Sequence, residues 1–352
     1  MKDGQTHGRE NFSKAMSKIR ILIIGLGRIG KIHLANLRAM EEVEIIGICD
    51  PTDEAKVFSN KAGIRFYQKD FTDIASEVQT DAIVICSPTD THANYVSLAA
   101  KKGIDVFCEK PLDLSLKKVK EVLKTVNESK IKLMLGFNRR FDSEFQSVKE
   151  KIVKGEIGDI HTIKITSRDP SPPSINYIKS SGGMFLDMTI HDFDMIRYLT
   201  GKEIIEVYAK GDALINSEIA KAGDIDTAII NLTFEDGSMA VIDNCRKAVY
   251  GYDQRVEVFG SKGMVQSKNK FDNYTLTYTE KGVTSSLPQH FFLERYADAY
   301  KKEINHFIDC IRHKKTPKVS GYDGLMSLLL GLCAKESLNC NKPVLVSEID
   351  KT

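Results

Sequence analysis

No run of 18 apolar residues occurs in this chain of 352 residues, so no segment reads as a membrane-spanning helix. An excess of one charge is lacking as well: 50 lysines and arginines face 48 aspartates and glutamates, a formal net charge of +2. That balance leaves no electrostatic footprint for nucleic acid or for an anionic membrane surface. The cysteines (Cys49, Cys86, Cys108, Cys245, Cys310, Cys333 and Cys340) are odd in number and include no C-x-x-C pair. Three of them, Cys49, Cys86 and Cys108, sit in apolar strand-like runs, where a thiol packs as a small hydrophobe. Free thiols in a reducing, cytoplasmic compartment are expected, not a disulfide framework. The eight histidines form no H-x-x-x-H pair and none stands at ligand spacing from a cysteine, so no metal site is expected. Internal repeats and low-complexity tracts are also missing. Residues 1–17 are polar, without the apolar core of a secretory signal, and Asp3 and Glu10 argue against a mitochondrial transit peptide; a disordered tail is expected there.

What the chain does have is a globular composition, 42% hydrophobic and 28% charged, and length for about two domains. Up to residue 140 apolar runs at 19–24, 43–49, 82–86, 104–108 and 131–137 alternate with helical patterns, among them Ile29 to Met40, Thr91 to Lys102 and Ser115 to Ser129. Continuous apolar strands separated by helices predict a parallel sheet covered on both faces. Beyond that point the pattern changes. A charged helix, Ser143 to Lys154, leads to a strand at 160–167, a proline-rich loop and a helical segment from Gly183 to Leu199. Alternating, β-rich sequence then fills 203–286, with turn signals at Glu235-Asp236-Gly237-Ser238, Gly260-Ser261-Lys262-Gly263 and Glu280-Lys281-Gly282, and helices at about 291–314 and 322–338 close the chain. That stretch predicts a largely antiparallel, hairpin-built sheet.

The most telling segment is Ile21-Leu22-Ile23-Ile24-Gly25-Leu26-Gly27-Arg28-Ile29-Gly30, with Asp50 closing the next apolar run 20 residues beyond Gly30. A β-branched run that breaks into G-x-G-x-x-G and opens a helix is a strand-turn-helix unit for a dinucleotide. Gly25 permits the tight turn, Gly27 lets the backbone approach a pyrophosphate, and Gly30 lets the helix pack on the strand. The amides around Leu26, Arg28 and Ile29 then face the phosphates at a helix N-terminus. Asp50 would accept the adenosine ribose hydroxyls and repel a 2′-phosphate, which favours NAD over NADP. The fold expected is therefore α/β: an N-terminal Rossmann dinucleotide-binding domain over 18–138. A C-terminal α+β domain with a largely antiparallel open sheet follows over 139–352, its terminal helix free to pack back. One face of that open sheet would suit a second subunit.

Several polar groups stand where strands should end. Lys110, in Cys108-Glu109-Lys110-Pro111, follows an apolar run, and the carboxyl ends of parallel strands line the ligand crevice; a solvated loop lysine is the plainer alternative. Asp187 and His191 are i and i+4 in an apolar segment, so they should lie side by side on one helix face. The carboxylate can fix the imidazole tautomer and raise its basicity, or the two can form a structural pair. Arg139 and Arg140 could contact substrate hydroxyls or anchor the domain junction. Asp169, in Ser167-Arg168-Asp169-Pro170, and Tyr250, in Val249-Tyr250-Gly251-Tyr252-Asp253, are further substrate candidates. Ser87, Thr89 and His92, together with Glu109, are candidates for the cofactor's nicotinamide side; Thr89, Asp90 or Thr91 could equally cap a helix.

On these motifs the chain resembles the glucose–fructose oxidoreductase, inositol dehydrogenase and rhizopine-catabolism family, from about Lys18 onward. The carriers are the glycine turn, Glu109-Lys110-Pro111, Gly136-Phe137-Asn138-Arg139-Arg140-Phe141-Asp142 and Ser181-Gly182-Gly183-Met184-Phe185-Leu186-Asp187-Met188-Thr189-Ile190-His191-Asp192-Phe193-Asp194. Its inositol branch is the nearest likeness. The resemblance implies an NAD-dependent oxidation of a cyclic polyol, myo-inositol to its 2-keto product, with Lys110, Asp187 and His191 as the catalytic trio. It implies that His191, oriented by Asp187, takes the hydroxyl proton while Lys110 bonds the same oxygen. It also implies a homotetramer or dimer formed through the second-domain sheet. Other inositol isomers, a pyranose sugar, or a non-catalytic dinucleotide sensor are the rival readings.

Overall fold

Strands β1 (Ile19–Ile24), β2 (Val43–Cys49), β3 (Phe66–Tyr67), β4 (Ala82–Ile85), β5 (Asp105–Cys108) and β6 (Leu133–Leu135) form a parallel sheet in the order β3-β2-β1-β4-β5-β6. The coordinates are a computed structural model describing residues 17–77 and 79–351; apart from Ser17, the tail expected over 1–17 lies outside the described residues. All four residues of β4 are buried, as are Ile21 to Ile24 of β1. That is the burial expected of strands covered on both faces, and it is why these runs show no polar alternation.

Helices supply the cover. Leu116–Ser129 buries Leu116, Val119, Val122 and Val126, one apolar stripe, and Ser115 caps it by accepting the Lys118 amide. Its bounds and those of Arg28–Arg38 and Thr89–Lys101 fall within two residues of the sequence reading. The helix Asp53–Ala62 and the short β3 were not anticipated.

The second sheet comprises β7 (Ile160–Arg168), β8 (Ile204–Asp212), β9 (Thr227–Phe234), β10 (Met239–Cys245), β11 (Asp253–Gly260), β12 (Gly263–Ser267) and, beyond the hairpin β13 (Leu276–Thr279) and β14 (Gly282–Ser285), the short β15 (Val344–Leu345). Its order is β12-β11-β7-β10-β9-β8-β15, and every pair is antiparallel except β7 with β10. The hairpins β9–β10, β11–β12 and β13–β14 turn at the three sites the sequence marks. One face of this sheet is covered by the helices Ile190–Thr200 and Gly321–Cys340. The other leaves Ile205, Ile229, Met239, Phe259 and Met264 exposed.

The C-terminal helices tie the halves together. Ala297–Arg312 packs on Arg28–Arg38 and on the turn Asn138–Phe141, while Gly321–Cys340 reaches β6, β8 and the helix Leu116–Ser129. Residues just past strand ends of both sheets meet, Lys110 beyond β5 and Arg246 beyond β10 both reaching Asp187. Among the described residues no helix is long and apolar enough to cross a membrane.

Candidate active site

The strand order reverses between β1 and β4, the point where open parallel sheets hold ligands beyond their carboxyl ends. Gly25 leaves β1 with φ +87°, and a Cβ there would strike Ser87 N at 2.5 Å. A Cβ on Gly30 would lie 2.1 Å from Gly25 O, which fixes how closely helix and strand pack. Gly27 is different: a Cβ there meets nothing within 4 Å, so the space above it is open. The helix Arg28–Arg38 has no side-chain cap and no acid in its first turn. Its first amides therefore remain available to an anion. This is a cradle that fits a dinucleotide pyrophosphate, with the exposed Arg28 at its rim and Ile29 half-buried beneath.

Asp50 ends the neighbouring strand and is buried. Its Oδ2 accepts the Leu26 amide at 2.7 Å, and its Oδ1 accepts the Thr52 amide and hydroxyl at 2.8 and 2.6 Å. A carboxylate offers about four acceptor positions, so Asp50 shapes the glycine turn with three of them and has one to spare.

Two of the expected cofactor contacts, His92 and Glu109, take other work. His92 is buried, and its ring nitrogens lie 2.8 Å from the carbonyls of Pro111 and Ser87; it staples two strand-end loops together instead of facing a ligand. Glu109 turns inward to His33 Nε2 at 2.8 Å. Thr89 begins its helix behind Pro88 and caps nothing, while the Ser87 and Thr91 hydroxyls bond each other at 2.6 Å. Ser87 remains at the mouth of the crevice, half-buried.

Lys110 lies two residues beyond β5, before a cis peptide to Pro111. Its Nζ donates to the Asp187 carbonyl at 2.7 Å and to Asp187 Oδ1 at 3.3 Å. Asp187 is presented by Gly182 and Gly183, whose φ values of +88° and +82° turn the chain into the short helix Met184–Asp187. Tyr177 donates its hydroxyl to Asp187 Oδ1 at 2.9 Å, and the fully buried Arg246 reaches Oδ2 at 3.4 Å. Burial raises the Asp187 carboxyl, but Lys110 and Arg246 outweigh it and hold the group below its usual range.

The expected contact between Asp187 and His191 is not formed. The segment 183–199 is not one helix: Met188 and Thr189 form a turn, and His191 belongs to a second helix, Ile190–Thr200. Thr189 donates its hydroxyl to Asn244 Oδ1 at 2.5 Å, and the three side-chain donors to Asp187 are Lys110, Tyr177 and Arg246. His191 Nδ1 is buried with no hydrogen-bond partner, so Nε2 is the nitrogen left to meet a ligand. Burial, then the charges of Lys110 and Arg139, push the imidazole well below its ordinary range. The imidazole is therefore held in its neutral form.

Arg139 and Arg140 take the junction role. Arg139 pairs with Asp192 at 2.6 Å; Arg140 binds Asp194 through Nη2 and Nε at 2.6 and 2.8 Å and reaches Asp323 at 2.8 Å. Both are buried against carboxylates, and Arg140 spends four of its five N–H donors on the junction. Tyr250 also differs from expectation, since its hydroxyl donates to Asp253 Oδ2 at 2.6 Å and accepts from Arg168 at 3.1 Å. Asp169 remains available. Its carboxyl makes no side-chain hydrogen bond among the described residues, and burial, with Asp187 adding to it, lifts its pKa to about 6 against the pull of Arg246 and Arg139. Tyr177 and Arg246 escaped the sequence reading. Tyr177 sits in a helix after the proline-rich loop, and Arg246 is one basic residue past β10 among many.

Fold and cleft together define an NAD-binding oxidoreductase with a second, sheet-based domain. The comparisons agree. Residues 19–137 match an oxidoreductase family described as an NAD-binding Rossmann fold, and residues 145–266 match the GFO/IDH/MocA C-terminal domain. The chain belongs to the GFO/IDH/MocA family. It is 46% identical over 332 residues to the myo-inositol 2-dehydrogenase of Thermotoga maritima, covering 94% of this chain and 99% of that one. The inositol 2-dehydrogenase of Rhizobium meliloti is 42% identical over 321 residues, 91% of this chain and 97% of its own. The solved scyllo-inositol dehydrogenase of Lactobacillus casei, with bound NAD(H) and scyllo-inositol, superposes with a TM-score of 0.88 at 31% identity, covering 94% of this chain and 100% of that one.

Proposed function

We propose that this enzyme oxidises a cyclic polyol with NAD, and that its substrate is myo-inositol, converted to the 2-keto product. What supports the reading is the Lys110–Asp187 pair just beyond β5, with His191 close enough for the Lys110 charge to act on its buried ring. The likeness to named inositol 2-dehydrogenases over almost the whole chain supports the substrate class.

Bound NAD supplies the hydride acceptor, nicotinamide C4. The protein supplies the rest. Lys110 donates a hydrogen bond to the reacting hydroxyl and stabilises its developing negative charge. His191 Nε2 takes the hydroxyl proton as the ring carbon loses its hydride. Asp187 is the keeper of Lys110: by holding Nζ from two directions it sets where the ammonium points. Asp169 accepts hydrogen bonds from the polyol's other hydroxyls. Residues 18–138 act as the cofactor module and residues 139–352 as the polyol module.

The exposed apolar face of the second sheet supports a homo-oligomer, a tetramer or dimer joined there. The hairpin β13–β14 adds to this, with Leu276, Tyr278 and Val283 all exposed. A two-stranded hairpin is marginal alone in water, and a second subunit would cover it. Balanced charge and free thiols fit the cytoplasm.

A second reading, a preference for scyllo-inositol, is favoured by the likeness to the Lactobacillus casei structure. Spectrophotometric NAD reduction across inositol isomers and hexoses decides between them. Fastest turnover with myo-inositol supports the first reading, fastest turnover with scyllo-inositol the second. No turnover with any inositol rejects both.

A further inference from the structure

Between the helices Arg28–Arg38 and Ala297–Arg312, three ligating side chains converge: His33, Glu109 and Glu303. One donor atom from each lies within 4.8 Å of the other two. His33 and Glu303 are fully buried, and Glu109's side chain keeps 13% exposure. A single hydrogen bond, His33 Nε2 to Glu109 Oε1, joins members of the group. His33 Nδ1 and both carboxylate oxygens of Glu303 are buried without any partner. Phe107 and Tyr300 pack edge-on against the His33 ring at 4.8 and 5.8 Å and wall the cluster with hydrocarbon.

A buried carboxylate without a donor must take a proton or hold a cation. The proton does not satisfy this site. Burial and Glu109's charge do push the Glu303 carboxyl well above its usual range. Yet a protonated Glu303 could give its O–H only toward Glu109, and its second oxygen and His33 Nδ1 would still stay without a partner. A divalent cation answers both needs, because two carboxylates balance its charge and an imidazole completes a nitrogen–oxygen donor set. Zinc bound at about 2.0–2.2 Å from each donor spaces its ligands about 3.5 Å apart, so the side chains need close by only about 1 Å. We propose that His33, Glu109 and Glu303 hold a buried zinc ion, with water in its fourth position, that fastens the glycine-turn helix and the strand end bearing Lys110 to the C-terminal helix. Its ligands come from positions 33, 109 and 303, so no local spacing announces it.

The test begins with full-length protein stripped of metal by chelator and dialysed. Zinc is then added alone, with isothermal titration and thermal unfolding as readouts. One zinc per chain and a rise in Tm of roughly 3–6 °C at hundredfold excess over Kd are expected. In Glu303→Gln, which keeps shape but loses charge, both effects should vanish while NAD binding reports that the variant is folded. An undiminished zinc effect in Glu303→Gln would place the ion elsewhere and overturn the assignment. Should that variant not fold, zinc-edge anomalous scattering from zinc-soaked wild-type crystals decides. A peak among the three side chains confirms the site; a water there, with no anomalous signal, refutes it.

Discussion

Lys110 Nζ donates to the backbone carbonyl of Asp187 at 2.7 Å and to its carboxylate at 3.3 Å, across a sequence separation of 77 residues. The first contact needs no particular side chain at 187; the second does. Two acceptors on one residue fix the direction of the ammonium.

Lys110→Ala should therefore lower kcat by roughly 10²–10⁴-fold, the scale of losing a donor to a developing oxyanion or a proton-transfer group. NAD affinity, measured by fluorescence titration, should hardly change. Wild-type turnover in this variant would remove Lys110 from the chemistry.

Tyr177→Phe should be milder. It deletes one hydrogen bond to the Asp187 carboxylate and leaves Lys110 and Arg246 in place. A charged hydrogen bond of about 1.5 kcal/mol corresponds to about a tenfold loss in kcat/KM. A drop as large as that of Lys110→Ala would mean that Tyr177 meets the substrate itself.

Asp169 gives the cleft a pH signature. Its carboxyl titrates at about 6, so it is ionised at pH 7 and protonated below about 6. Only the carboxylate accepts hydrogen bonds at both oxygens, so the KM for polyol should rise as pH falls through that value. In Asp169→Asn this inflection should be gone. A pH-independent KM in the wild type would show that Asp169 does not touch the polyol. The same shift has a stability sign. The folded state holds the proton more tightly than the unfolded state, so this contribution is full below the unfolded value and lost as pH rises through about 6.

Asp50→Ala should do two things. Removing the carboxylate admits a 2′-phosphate, so the ratio of kcat/KM for NAD over NADP should fall. Removing the acceptor for the Leu26 amide loosens the glycine turn, so KM for both cofactors should rise. Unchanged selectivity would mean that Asp50 serves the turn alone.

Arg140→Ala should leave Asp194 buried without its partner and weaken the grip on Asp323. Breaking a buried pair in this way costs about 3–5 kcal/mol, readable as a lower urea midpoint. A loss below 1 kcal/mol would contradict the anchoring role.

What was legible in the sequence was what neighbours in sequence decide. Gly25, Gly27, Gly30 and Asp50 act within one strand-turn-helix-strand unit, so their spacing carries their meaning. The three hairpin turns are local in the same sense. Arg139 and Arg140 were ambiguous because their partners lie 53, 54 and 183 residues away. The i, i+4 reading of Asp187 and His191 assumes an unbroken helix, and a turn at Met188–Thr189, where Thr189 bonds Asn244 of β10, interrupts it. His92 and Glu109 were placed at the right strand ends, but their ring and carboxylate turn inward to partners that only the fold supplies. Tyr177, Arg246 and Glu303 had no periodic or motif signal to find.

The central claim is that this cleft moves a hydride from an inositol ring carbon directly to NAD while His191 and Lys110 manage the oxygen. The most direct measurement uses myo-inositol deuterated at carbon 2, with NAD, in ordinary water, and mass analysis of the NADH formed. Deuterium should appear on the nicotinamide ring of NADH, at a rate that collapses in Lys110→Ala. NADH without deuterium, or no NADH from any inositol while NAD still binds, would contradict the account.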